Sequence, residues 1–136
     1  MAEAYLKSLN IPGITVISSG TVASKHKEEN LENFPKTLGL LKQHGIAQYA
    51  KDHYADDTQQ DSLDSSDVVV FLNKVAYDEA ASSFRLPERT YVWHVADIGE
   101  EGRIATTPTE YHQFAEDAFQ EIVQNVDQLA TTLKPR

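Results

Sequence analysis

Asp67-Val68-Val69-Val70-Phe71-Leu72-Asn73 is the stretch on which the fold turns. Its unbroken apolar run, bounded by polar residues, reads as a strand covered on both faces, the habit of parallel sheets. Downstream, residues 74–82 are expected as a short helix and Thr90-Tyr91-Val92-Trp93-His94-Val95 as another strand. Thr107-Pro108-Thr109-Glu110 then marks a helix start, with a threonine cap, proline at the first helical position and glutamate at the third. The helix that follows sets Tyr111, Phe114, Ala115, Ala118, Phe119, Ile122, Val126, Leu129 and Leu133 on one stripe, the strongest periodicity in the chain.

Upstream, Ile14-Thr15-Val16-Ile17-Ser18-Ser19 is rich in β-branched residues, ends at Gly20, and is expected to be a buried strand. Before it, Ala2, Tyr5, Leu6 and Leu9 fall at i, i+3, i+4 and i+7, the apolar face of a helix that Pro12 and Gly13 stop. Residues 21–33 are polar and expected as loop. Pro35 suits the first turn of a helix running to about Gln43, with Gly45 in the left-handed position after it. Residues 47–63 are mixed and acidic, and their pattern assigns no element. Strands alternating with helices specify an α/β fold, a parallel sheet flanked by helices. Such a sheet normally opens on a strand whose turn into the first helix holds the phosphate or cofactor site. This sequence opens on a helix.

The 136 residues are one domain's worth of chain. A net charge of −9 makes nucleic acid and anionic membrane surfaces poor partners. No run of eighteen apolar residues and no leader-like N-terminus occurs, so a soluble, cytoplasmic protein is the plainest expectation. The chain contains no cysteine, which excludes disulfides, thiolate metal sites and a cysteine nucleophile within it.

Four segments resemble the low-molecular-weight protein tyrosine phosphatases, in the family's order. Met1-Ala2-Glu3-Ala4 looks like the helix after the family's phosphate-binding loop (cysteine, five residues, arginine, serine). Ser18-Ser19-Gly20-Thr21 resembles its Ser-Ala-Gly-Thr turn, Leu40-Leu41-Lys42-Gln43-His44-Gly45-Ile46 its Leu-xxx-His-Gly-Ile segment, and residues 67–73 its Asp-Leu-Ile-Leu-Ala-Met-Asp strand. The resemblance implies a three-layer α/β domain over residues 1–136, of flavodoxin-like order, N-terminally truncated so that the first strand and the cysteine loop are missing. It implies phosphate monoester hydrolysis through a cysteinyl-phosphate, a reaction this chain is expected not to perform without its nucleophile. The alternative is a non-catalytic phosphate- or protein-binding module. The related arsenate reductases need several cysteines to relay a disulfide, and none is present.

The resemblance makes Asp97 the candidate general acid, although Ile98 stands where the family has proline and Gly99 where it has a phosphotyrosine-packing ring. It places substrate contacts at the backbone of Met1, Ala2 and Glu3 and at Ser19, with weak anion binding at Met1 to Glu3. The implied partners are a phosphate or phosphoprotein ligand and a second copy paired through exposed sheet edges. No cofactor or metal is expected: His112 and Glu116 stand at i, i+4, and one such pair has too few ligands. His94 near Asp97, hydroxyls of Ser18 and Ser19 bonding their own turn, and the locally basic Lys25-His26-Lys27 are more simply surface and turn chemistry.

Overall fold

The C-terminal helix is the hub of the molecule, and the capping signal at Thr107 sets where it begins. The computed structural model describes residues 1–21, 27–50, 56–95 and 104–133. Its elements are α1 (Ala2–Ser8), α2 (Lys27–Gln43), a 3-10 turn (Ala47–Tyr49), α3 (Gln60–Ser65), β1 (Val69–Phe71), α4 (Lys74–Ala81), β2 (Thr90–Val92) and α5 (Pro108–Leu133). The Glu110 N–H donates to Thr107 Oγ1 at 3.1 Å, so the expected cap forms. From there Ala115, Ala118, Phe119, Ile122, Val126 and Ala130 are buried along one face. Tyr111, Phe114, Leu129 and Leu133 lie half-buried at the margins of that face.

Two apolar clusters share this helix. Ala115 and Phe119 pack with Ala4, Leu40 and Leu41, while Ala118, Ile122 and Val126 pack with Val95. Met1 and Tyr5 of α1 touch both clusters, so the first helix rides along the last and joins the two halves of the core. α2 ends as its sequence requires. Gly45 has φ 73°, its N–H reaches the Lys42 carbonyl at 3.0 Å, and the Ile46 N–H reaches the Leu41 carbonyl at 3.0 Å. That pair of bonds is the left-handed glycine stop, which a residue with a Cβ adopts only under strain.

β1 and β2 pair in parallel, Val69 with Thr90, Val70 with Tyr91 and Phe71 with Val92. A parallel pair joined by a helical crossover is the α/β arrangement. The Asn73 side chain caps α4 by accepting from the Ala76 N–H at 3.0 Å, fixing the turn out of β1.

Four expectations need correction. Residues 14–19 form no strand with the other described residues. Among the described residues their stretch ends in a single parallel bridge between Gly20 and Asp57, with the Gly20 N–H on the Asp56 carbonyl at 2.8 Å. β-branched composition favours an extended backbone, but a strand needs a neighbour along its edge, and among the described residues this stretch meets one only at its end. The sheet therefore has two strands among the described residues rather than three.

The apolar run around β1 is also less covered than its composition implies. Phe71 is buried, Val69 and Val70 are half-buried, and Leu72 is 36% exposed. Finally, α2 begins at Lys27, so Pro35 lies inside the helix rather than in its first turn, and residues 27–33 are helical rather than loop. The proline withholds one N–H from the carbonyl four residues back, a local cost that the packing of Leu40 and Leu41 beyond it outweighs. In the acidic stretch without a sequence assignment, the described residues form the 3-10 turn and α3.

Candidate functional site

The sequence places its candidate site at the start of α1, the turn at residues 18–21 and the chain just after β2. The fold brings the described parts of these together. Met1 and Ala2 pack against the cluster built on Val95, with Trp93 beside it, so the first turn of α1 lies at the end of β2. Asp97, Ile98 and Gly99 lie outside the described residues, as do Lys25 and His26.

The start of α1 is half-buried, and its charges are already matched. Burial lowers the α-amino group of Met1 below its ordinary value, while the nearby Glu3 charge opposes that shift. The Glu3 side chain is only 8% exposed; its Oε1 lies 3.2 Å from Lys7 Nζ, and its Oε2 accepts from Ser18 Oγ at 3.0 Å. A buried carboxylate with a partner on each oxygen is stable where it is. It is also a negative charge on one of the residues at which a phosphate is expected.

The turn at residues 18–21 is held by its hydroxyls, each reaching a different part of the chain. Ser18 bonds Glu3 on α1; Ser19 Oγ and Thr58 Oγ1 are 2.8 Å apart; Thr21 Oγ1 donates to Glu79 Oε2 on α4 at 2.8 Å. The sequence suggests bonds back to the turn's own peptide groups; the bonds described run to distant segments. The turn thereby ties α1, the strand-like bridge at Asp57 and α4 to one point. Ser19 is exposed, and the contacts described for Ser18 and Ser19 are to the Glu3 carboxylate and the Thr58 hydroxyl.

His94 is exposed at the end of β2, and His112 is exposed on α5. The partner expected for His112 is engaged elsewhere: Glu116 Oε2 accepts from His44 Nε2 at 2.9 Å, and Gln120 Nε2 donates to Oε1 at 3.1 Å. The bond from His44 holds the Glu116 carboxyl below the usual carboxylate range, partly opposed by burial. No group of three side chains able to hold a metal occurs among the described residues. None of the helices described there is long and apolar enough to cross a membrane.

Sequence reasoning missed the pairing of His44 with Glu116 and that of Tyr5 with Asp127. These residues are 72 and 122 positions apart, and no local spacing signals either contact.

No curated protein and no solved structure matches this chain. A family model does, that of the low molecular weight phosphotyrosine protein phosphatases, over residues 1–135. With an α/β fold, a parallel strand pair and a match over nearly its whole length, the chain belongs to the low molecular weight phosphotyrosine protein phosphatase family.

Proposed function

We propose that this 136-residue chain is a phosphatase-family protein that does not itself hydrolyse phosphate monoesters. One observation carries the reading: the family's reaction proceeds through a cysteinyl-phosphate, and the chain has no cysteine. The next candidate nucleophiles are hydroxyls, Ser18 donating to Glu3 and Ser19 sharing a proton with Thr58, and neither is the thiolate that the family's reaction uses. Asp97 is retained as the family's general acid by position. Without a thiolate to form the ester that it would assist, it has no leaving oxygen to protonate.

The surroundings of α1 support the same reading. A phosphate approaching Met1, Ala2, Glu3 and Ser19 meets the buried carboxylate of Glu3, whose positive partner Lys7 is already committed. Two like charges at that separation repel, and the protein's net charge adds to the repulsion. A phosphate or phosphoprotein ligand at this place is therefore expected to bind weakly. The binding-module alternative rests on that ligand, and Glu3 counts against it.

The experiment is hydrolysis of p-nitrophenyl phosphate by the purified chain, with Asp97→Asn prepared in parallel. The expected result is no turnover above buffer for either protein. Turnover that co-purifies with the chain and is abolished by Asp97→Asn would sink the proposal. It would mean that a hydroxyl or water does the work of the thiolate.

A further inference from the structure

Lys36 and Leu40, one turn apart on α2, line a cleft of about 420 Å³ together with Tyr111, His112 and Ala115 of α5. That volume falls within the range of small-molecule sites. Leu40 and Ala115 are buried, so the base of the cleft is apolar, and Pro108 and the half-buried Tyr111 extend that surface. The charged and ionisable groups stand at the rim. Lys36 and His112 are both exposed, and Lys36 Nζ lies 4.5 Å from the centroid of the Tyr111 ring. A ring face attracts an ammonium group, which holds this one at the mouth of the cleft. Thr106 and Thr107, in the turn into α5, complete the wall. Among the described residues no carboxylate lines it. In a protein of net charge −9, a hollow whose own ionisable groups are basic reverses the sign of the surrounding surface.

We propose that this cleft binds a small aromatic acid, with the ring on Leu40 and Ala115 and its single negative head at Lys36. The chemistry of the lining selects that class. A cation would meet Lys36, a bare inorganic ion would gain nothing from the apolar base, and a neutral ring would make no use of the ammonium. An apolar body with one anionic head uses both. His112 adds a ring N–H donor from the α5 side in either protonation state. The charge that opposes binding is Glu110, whose Oε1 accepts from Thr106 Oγ1 at 2.7 Å and so stands close to one wall. Glu110 does not itself line the cleft, whereas Lys36 does, so Glu110 weakens the attraction without reversing it. None of the lining residues belongs to α1, so this site is distinct from the start of that helix, where the buried Glu3 carboxylate repels an anion. The inference is independent of whether the chain hydrolyses phosphate esters.

Titration of the full chain with benzoate, followed residue by residue through its amide NMR signals, tests the proposal. Benzoate should move the signals of Lys36, Thr106, Tyr111 and His112 along one saturating curve. Benzenesulfonate, with the same ring and another anionic head, should move the same signals. Benzamide, which lacks the charge, and acetate, which lacks the ring, should each bind more weakly. Lys36→Gln, at an exposed position, should weaken benzoate about fivefold, and Glu110→Gln should tighten it. Lys74→Gln removes an equal charge from α4, where Lys74 pairs with Asp78, and should leave the affinity unchanged. Benzamide binding as tightly as benzoate, equal losses in the Lys36 and Lys74 variants, or no saturating shift at the cleft overturns the proposal. Shifts centred on Ala2 and Glu3 instead would return the anion to the start of α1 and overturn it as well.

Discussion

His44 Nε2 lies 2.9 Å from Glu116 Oε2, and the His44 ring stacks on Phe119 with centroids 4.3 Å apart. One side chain just past the C-terminus of α2 thereby makes a polar and an aromatic contact to two residues of α5 three positions apart, on one side of that helix. The Glu116 carboxyl is held below its ordinary value near 4.5, first by the bond from His44, against burial, with Gln120 and the charges of His44 and His112 adding to it. A carboxyl lowered in the folded state contributes stability that is full above the unfolded value and is lost as pH falls through the folded one. Urea midpoints should therefore drop as pH falls below about 4.5. Glu116→Gln should flatten that part of the profile while costing about 1 kcal/mol at neutral pH.

Tyr5 gives the opposite sign at the other end of the scale. Its hydroxyl donates to Asp127 Oδ1 at 2.6 Å, and that bond, with burial and the carboxylate's charge, pushes its pKa up to about 12. A group whose folded pKa is raised contributes fully below its unfolded value of about 10 and loses that contribution as pH rises toward 12. Ultraviolet titration of the six tyrosines should show one late-ionising phenol. Tyr5→Phe should remove that phase and cost about 0.5–1.5 kcal/mol below pH 10, since the ring still packs edge-on to Phe119. An unchanged late phase in the variant would assign it to another tyrosine.

The cap of α5 is a third test. Thr107 Oγ1 accepts from the Glu110 N–H, and the Glu110 carboxylate accepts from Thr106 Oγ1 at 2.7 Å. Thr107→Ala leaves an N–H at the head of the longest helix without its side-chain partner. The expected loss is about 1 kcal/mol in chemical denaturation, with Thr107→Ser close to wild type. Equal losses in both variants would show that the methyl group, not the hydroxyl, matters.

What the sequence revealed and what it hid divides along the range of the interactions. The start of α5, the Gly45 stop, the Asn73-capped α4 and the strand pair β1–β2 are each written in a few consecutive residues, and each is present. Residues 14–19 carry an equally clear β signal, yet among the described residues they form no ladder beyond the bridge at Gly20, because a strand is made by its neighbour as much as by its own side chains. Pro35 misled for the converse reason. Proline's preference for a first turn is real, but a helix anchored by Leu40 and Leu41 on α5 tolerates it inside. At the candidate site, the hydroxyls of residues 18–21 were legible as polar turn residues, whereas their partners Glu3, Thr58 and Glu79 are set by the packing of three separate segments.

That packing predicts the largest single effect. Leu41 is 1% exposed, and it joins Ala4, Leu40, Ala115 and Phe119 in the cluster where α1, α2 and α5 meet. Truncation to alanine removes its apolar contacts to both partner helices and leaves a hole that rigid helix backbones only partly close. Leu41→Ala should cost about 2–5 kcal/mol, several times the loss from the Thr107 cap or the Tyr5 hydroxyl. Leu38→Ala, three residues earlier on the same helix and only half-buried, should cost clearly less. Comparable losses for the two variants would mean that α2 does not dock through the face that buries Leu41, and the three-helix cluster would have to be redrawn.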